Sequence, residues 1–399
     1  QWVGIATIFA IGEKAYLTLF PWNLGYVWAW VDFPMVQTAE WWGIDGLSTI
    51  TIYFSALFGY AWEARIRNKN LWKRIVFGGI SIFAGLNLIG AAIKPVLDPD
   101  APTINALVIQ GNIGNLQKEK AQRGLGYRSE ILQKYMELTN KGLENYADKN
   151  IDVVIWPETA TPLRLSPRYI FHPRQKKLIE FVKNMGKPLI TGAYHENPET
   201  GGMSNSLFVI NASGVVLPPY RKTHLLAFGE YFPIVSRFPA LEEKMGLGSF
   251  ERGEGPVSLP VNSFSIGPQI CYESLFPLFS KGLADANADV FVNVTNDSWF
   301  GPLSEPFQNM IMTLSRSIEF RRPTIRATNT GFTTAMDHTG RRYKKSQWFT
   351  EQIMLFSVPL PQKDTSTVFQ KFPYIPEVAL GLALMLFFYS FKSKPEESL

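Results

Sequence analysis

Three short segments carry residues whose types can do nucleophilic chemistry together. Val154–Glu158 reads VIWPE, an apolar strand stopped by proline with a carboxylate just beyond it. Tyr220–Tyr231 reads YRKTHLLAFGEY, with Lys222 at the close of a strand. Ile270–Glu273 reads ICYE, so Cys271, the only cysteine of the chain, ends a third strand. A free thiol has a pKa of about 8.5 and needs a base or a neighbouring positive charge to become a nucleophile. A carboxylate can take its proton, and an ammonium can stabilise both the thiolate and the oxyanion that follows attack on a carbonyl. Taken singly, the cysteine reads as a small buried hydrophobe, the glutamate as a solvated acid and the lysine as a surface residue. It is their shared position at strand ends that points to chemistry, because the functional crevice of layered α/β folds lies beyond the strand ends.

The elements that would position them follow from hydrophobic periodicity. Strands are expected at 105–110, 152–156, 188–194, 264–271, 289–294, 323–328, 332–336 and 352–358. A hairpin is expected over 205–211 and 215–220, around Ala-Ser-Gly. Helices are expected within 118–147 and at 174–185, 274–286 and 305–320. Hairpins mixed with crossovers suggest an α/β fold, a two-sheet sandwich with helices on its outer faces.

Composition splits the chain. Residues 1–99 hold 13 charged residues, whereas the other 300 hold 60. Gly46–Trp62 and Ile75–Ile93 are uncharged runs of 17 and 19 residues, and Ile375–Phe391 is a third apolar run with one acid. At about 1.5 Å per helical residue each is near the length that spans a bilayer core. The connector EARIRNKNLWKR is strongly basic, which places it on the cytoplasmic side and residues from about 97 to 373 outside. Gln1–Gly12 reads as part of a membrane element, so further membrane helices are expected before it. The organisation expected is therefore 1–99 membrane helices (about 1–20, 46–62 and 75–93), 100–372 a catalytic domain, and 373–399 a final span with a short tail. The mean hydropathy of −0.02 averages two unlike parts.

Several function classes are excluded. With 46% hydrophobic and 14% aromatic residues the chain is not disordered. One cysteine allows neither a disulfide scaffold nor a cysteine zinc cluster. His172, His195, His224 and His338 have no metal-binding spacing, and neither a P-loop nor GxGxxG is present. No metal, cofactor or nucleic acid is expected.

VIWPE, YRKTHLLAFGEY, ICYES and NVTNDSWFG, in this order, resemble the nitrilase (carbon–nitrogen hydrolase) superfamily. The apolar flanks, LLAFGEYFP, the early FPW and IRATNTGFT narrow the resemblance to the bacterial apolipoprotein N-acyltransferase family. That resemblance implies a nitrilase-like αββα sandwich inserted between transmembrane helices of the inner membrane, on the extracytoplasmic side. It makes Glu158 the general base, Lys222 the oxyanion-stabilising cation and Cys271 the nucleophile. Glu230 and Glu273 match further acids near the triad and Tyr272 a site-lining neighbour. Asn296, Trp299 and Asn329 are expected to shape the site. The implied reaction moves an acyl chain from a phospholipid donor, through a cysteine thioester, to the amino terminus of a diacylglyceryl apolipoprotein acceptor. Gln117-Lys118-Glu119 stands where the family often has Trp, and Gln308-Asn309 where it often has Gln-His; both bear on substrate lining. Phe228, Tyr231, Phe232, Phe238, Leu247 and Phe250 form either arms toward lipid or ordinary core packing. Two rival readings stand beside the transferase: a membrane-anchored amidase and an inactive lipid- or lipoprotein-binding module.

Overall fold

The computed structural model describes all residues except 1, 17, 19, 68–69, 115–126, 166–171, 234, 236–247, 300, 302–303, 363–364 and 393–399. The chain forms two compact units, Gln1–Val96 with Ile318–Arg321 and Asp364–Leu399, and Leu97–Ser317 with Arg322–Lys363.

The first unit is helical: α1 (Trp2–Ala15), α2 (Tyr26–Val31), α3 (Ala39–Arg67) and α4 (Leu71–Ile93), joined by the C-terminal helix Ile375–Lys392. Among the described residues α4 is the helix long and apolar enough to cross a membrane, by length and composition. Its 23 residues rise about 35 Å. The other expected spans fall on three further helices. Helix α1 has 14 residues, the C-terminal helix offers a shorter apolar stretch at Ile375–Tyr389, and α3 is longer but more polar. Thr49, Thr51 and Ser55 in α3 return their hydroxyls to the carbonyls four residues back, which satisfies them within the helix. At Gly43 the α3 backbone leaves helical geometry with φ of 69°, a conformation glycine adopts without steric cost. In the same unit Arg321 donates to Glu40 and Gln37, and Glu319 accepts from the Ile44 amide.

Among the described residues the second unit holds eleven strands in two sheets. The first sheet contains β1 (Thr103–Gln110), β2 (Val153–Ile155), β3 (Leu189–Glu196), β4 (Met203–Ile210), β5 (Tyr220–Arg221) and, last in the chain, Gln352–Pro359. The second contains β6 (Leu259–Val261), β7 (Phe264–Ile270), β8 (Val290–Thr295), β9 (Thr324–Thr328) and β10 (Thr334–Met336); the strand Gln352–Pro359 is β11. Their spatial orders are β11-β1-β2-β3-β4-β5 and β10-β9-β8-β7-β6. β1–β2–β3 and β7–β8–β9 are parallel cores flanked by antiparallel strands. β1 and β11 pair over eight residues from Thr103↔Pro359 to Gln110↔Gln352.

Period-two alternation divides β1 between two environments. Leu107 and Ile109 join a buried cluster with Ile131, Tyr135, Trp156, Leu178 and Phe181 from α5 (Tyr127–Asn145), α6 (Pro173–Met185) and the end of β2. Gln110 points the other way and its Oε1 accepts from Thr328, Thr333 and Ser346 of the second sheet's side. On that sheet's outer face lie α7 (Pro277–Asp285) and α8 (Glu305–Phe320), where Ser280 accepts from Gln269 and Ser317 donates to Thr324. The arrangement is helix, sheet, sheet, helix.

Two local readings need correction. The expected hairpin arm 215–220 pairs with β4 only through a bridge at Val216, the Leu217 amide and the two-residue β5. Pro218 and Pro219 lack the amide donors that a ladder requires. The strand expected to 271 ends at Ile270, and a 3₁₀ turn, Cys271–Leu275, precedes α7. The three-residue β6 was not expected at all.

Candidate active site

Cys271 occupies the corner between β7 and its 3₁₀ turn with φ of 55°. A left-handed backbone at a non-glycine residue costs about 1–3 kcal/mol and persists only where surroundings over-determine it. Here the Asn293 side chain donates to the Cys271 carbonyl at 2.9 Å, and the Ile270 amide donates to Glu273 at 2.8 Å. Asn293 is itself held by Arg326 at 2.5 Å, and Arg326 forks onto Asp297 at 2.9 and 3.2 Å. Burial first, then the Glu158 carboxylate, push the Cys271 thiol up to about 12 against the opposing pull of Lys222. The resting thiol is therefore neutral.

Lys222 follows β5 and is 1% exposed. Its Nζ donates to Glu230 Oε1 at 2.9 Å, forms an ion pair with Oε2 at 2.8 Å, and lies 5.4 Å from the Tyr272 ring centroid. Burial alone would discharge it. The Glu230, Glu158 and Glu273 carboxylates outweigh burial and raise its pKa above the ordinary lysine value, so it is a fixed cation. Glu158 lies just past β2 and is 7% exposed. The Asn205 side-chain amide donates to Glu158 at 2.7 Å and to Glu230 at 3.0 Å, tying the base candidate to the lysine's partner. Gly192 of β3 makes this possible. A Cβ there would stand 2.6 Å from the Glu158 Cα and the Thr159 amide.

Glu273 is fully buried and accepts from four donors: the Tyr220 hydroxyl at 2.7 Å and the amides of Thr223, His224 and Ile270 at 2.7, 3.0 and 2.8 Å. It thus fastens the loop after Lys222 to the Cys271 corner. Burial raises its pKa to about 7, opposed by Lys222 and these donors. The Tyr272 hydroxyl donates to the Leu225 carbonyl at 2.6 Å, a second tie between the same loops.

A carbon–nitrogen hydrolase family model matches residues 110–364. An apolipoprotein N-acyltransferase of Bdellovibrio bacteriovorus is 38% identical over 86% of this chain and 64% of its own length. One from Geobacter metallireducens is 30% identical over 91% of this chain and 68% of its own. The chain belongs to the carbon–nitrogen hydrolase family, on its apolipoprotein N-acyltransferase branch. The chain thus spans about two thirds of the length of these relatives. Among solved structures, an amidase from Nesterenkonia sp. aligns at 16% identity over 67% of this chain and 94% of that one, with a TM-score of 0.45.

In this carbon–nitrogen hydrolase, the sequence-predicted Glu158, Lys222, Cys271, Glu230, Glu273 and Tyr272 form one connected cluster. Among the described residues Asn296 and Asn329 have no hydrogen bond to that cluster and are joined to each other instead. The Asn329 side chain donates to Asn296 and to the Ile113 carbonyl, both at 2.8 Å, and accepts from the Ile113 amide at 2.9 Å. These bonds lock the ends of β1, β8 and β9 together, which is scaffolding. Trp299 closes the 3₁₀ turn Asp297–Trp299; its side chain, like Gln117-Lys118-Glu119, Phe238 and Leu247, lies outside the described residues. Of the expected aromatic arms, Phe228 is 67% exposed with φ of 64°, while Phe250 stacks on Tyr194 at 5.7 Å. One is a projection and the other is packing.

Sequence reasoning missed Asn205, Asn293 and Arg326. Each is a large polar residue at a buried position of a strand, and that was the available signal. Such residues are retained only where partners satisfy them. Glu273→Gln is expected to lower stability by about 1–3 kcal/mol, because a carboxamide NH₂ would face donors where only acceptors fit. Thermal unfolding reads this. A variant as stable as the parent would show that Glu273 does not brace the two loops.

Proposed function

We propose that this protein transfers an acyl chain from a membrane phospholipid to the terminal α-amino group of a diacylglyceryl apolipoprotein, through a thioester on Cys271. The observation that supports it best is a neutral thiol on a strained corner, flanked by a carboxylate and a buried, permanently charged lysine. With a thiol near 12, a preformed thiolate is too scarce, so proton transfer accompanies attack. Glu158 takes the Sγ proton as the S–C bond forms on the ester carbonyl, and Lys222 stabilises the oxyanion. The C–O bond breaks, the proton passes from Glu158 to the departing lysophospholipid, and the acyl thioester remains. The acceptor amine then attacks. Glu158 takes the amine proton and delivers it to Sγ as the C–S bond breaks.

The kinship with apolipoprotein N-acyltransferases of Bdellovibrio and Geobacter favours lipid substrates over a small amide. Helix α4 supports a seat in the inner membrane. The basic residues Arg65, Arg67, Lys73 and Arg74 favour a cytoplasmic α3–α4 connector in a multi-pass chain, with the sandwich on the extracytoplasmic side.

Incubation of the full chain with acyl-labelled phospholipid is expected to give hydroxylamine-sensitive label on the protein, which an apolipoprotein peptide then removes as amide product. Label that persists in Cys271→Ala overturns the nucleophile. Release of free fatty acid with no acylated peptide would favour hydrolysis instead.

A further inference from the structure

Gln269, Asn293 and Arg326 stand at one register level across the parallel strands β7, β8 and β9, so their side chains share a face of the second sheet. All three are fully buried, and Cys271 lies two residues beyond Gln269.

The bonds among these residues run outward from one guanidinium. Arg326 Nη1 donates to Asn293 Oδ1 at 2.5 Å and to the Thr313 hydroxyl of α8 at 3.2 Å, while Nη2 forks onto Asp297. The Thr295 hydroxyl donates to the same carboxylate at 3.1 Å, so the partner of the buried cation is itself held. A guanidinium has donors only, so it can meet nothing but the oxygen of the Asn293 amide. That turns the NH₂ toward the Cys271 carbonyl at 2.9 Å and the Gln269 carbonyl at 3.3 Å. A second arm runs through hydroxyls. Thr313 accepts from Arg326 and can donate in turn to Ser274 at 2.7 Å, and Ser274 donates to the Cys271 carbonyl at 3.4 Å, a weaker bond. Both arms begin at Arg326 and end on one carbonyl oxygen, that of the nucleophile's own residue. This residue is the strained one. Its φ of 55° is a conformation that a residue with a Cβ leaves unless its surroundings hold it. Once the carbonyl is released, relaxation of the backbone moves the Cα–Cβ bond, and Sγ with it.

We propose that Arg326 is a positioning residue for Cys271: through Asn293 and through Thr313–Ser274 it pins the Cys271 carbonyl and so sets where Sγ stands for attack. Attack on an ester rests on the acyl-transfer reading; the hold on the corner does not.

Arg326→Met alone would leave the Asp297 carboxylate buried and uncompensated, so the test uses two milder variants of the full chain. Arg326→Lys keeps the charge beside Asp297 and loses the planar fork, and Asn293→Leu cuts the first arm with no change of charge. Leu178→Ala, in the buried cluster beneath α6, is the control for lost stability. Each protein is assayed well below its unfolding midpoint, for single-turnover acylation by labelled phospholipid and for alkylation by iodoacetamide at pH 8. Cys271 is the only cysteine, so alkylation reports it alone. Both variants are expected to acylate about 10–100-fold more slowly, the effect of a misplaced reacting atom. Both are expected to be alkylated about 3–10-fold faster, because a loosened corner relieves the burial and the Glu158 charge that push the thiol up to about 12. Leu178→Ala is expected to keep both parent rates. Acylation within about threefold of the parent in either variant overturns the proposal. Slow acylation with unchanged alkylation overturns it as well, since the thiol has then not moved, and so does the same pair of changes in Leu178→Ala. Faster alkylation in both variants of a protein that never forms acyl-Cys271 supports the hold on the corner and refutes the acyl-transfer reading, so the two failures are distinct.

Discussion

Glu158→Gln is expected to slow acylation of Cys271 by about 10²–10⁴-fold at neutral pH and to make the residual rate steeply pH-dependent. Glutamine keeps an oxygen that can accept from Asn205, so the local geometry has no reason to collapse. What it removes is the proton acceptor. With the thiol pushed up to about 12, only roughly 10⁻⁵ of it is thiolate at pH 7. Without a carboxylate, attack must wait for thiolate; losing Glu158 also lowers the thiol pKa, so the fraction is larger than in the parent, and it grows about tenfold per pH unit while pH stays below that lowered pKa. The sign is therefore a rate rising with pH through the neutral and mildly alkaline range, more steeply than in the parent. The slope levels below 12, because Glu158 is itself the main charge that raises the thiol. Single-turnover labelling with acyl-labelled phospholipid between pH 6 and pH 10 reads both effects. A rate within threefold of the parent, or a parallel pH profile, removes Glu158 from proton transfer.

Lys222→Met is expected to act on stability and on rate, and the two effects can be separated. The lysine is buried and paired with both oxygens of Glu230. Deleting one partner of a buried ion pair costs about 3–5 kcal/mol, since it leaves the other charge uncompensated. Loss of one preorganised stabiliser of an oxyanion costs about 10²–10³-fold in rate. In the double variant Lys222→Met/Glu230→Gln the orphaned charge is gone, and the glutamine oxygen keeps one of two donors, Asn205 or the Leu226 amide, which bond different carboxylate oxygens in the parent. Thermal unfolding should return most of the way to the parent while acylation stays slow. Recovery of rate together with stability would assign Lys222 a structural role only.

How far the site was legible depends on the range of each interaction. The strands before Glu158 and Cys271 are local features, largely apolar runs stopped by Pro157 and by the 3₁₀ turn after Ile270, whereas the strand before Lys222 is only Tyr220–Arg221. Local features also misled. The arm 215–220 looks like a strand until the missing amides of Pro218 and Pro219 are counted. Leu259–Val261 is too short, and carries a proline, to register as a strand before its pairing with β7 is known. Asn205 lies 47 residues from Glu158 and 25 from Glu230, so nothing in its neighbourhood in the chain announces that it joins them.

The sequence by itself determined the candidate reactive groups, the solitary thiol and the strand ends that carry them, because each follows from residue type and short-range periodicity. Only the tertiary structure decided their charge states and division of labour. The thiol is raised by burial and Glu158, the lysine is kept charged by Glu230, and Glu273 is spent on four donors that fasten two loops. Desolvation and Coulomb interactions depend on distance through space, and folding sets those distances without regard to separation along the chain.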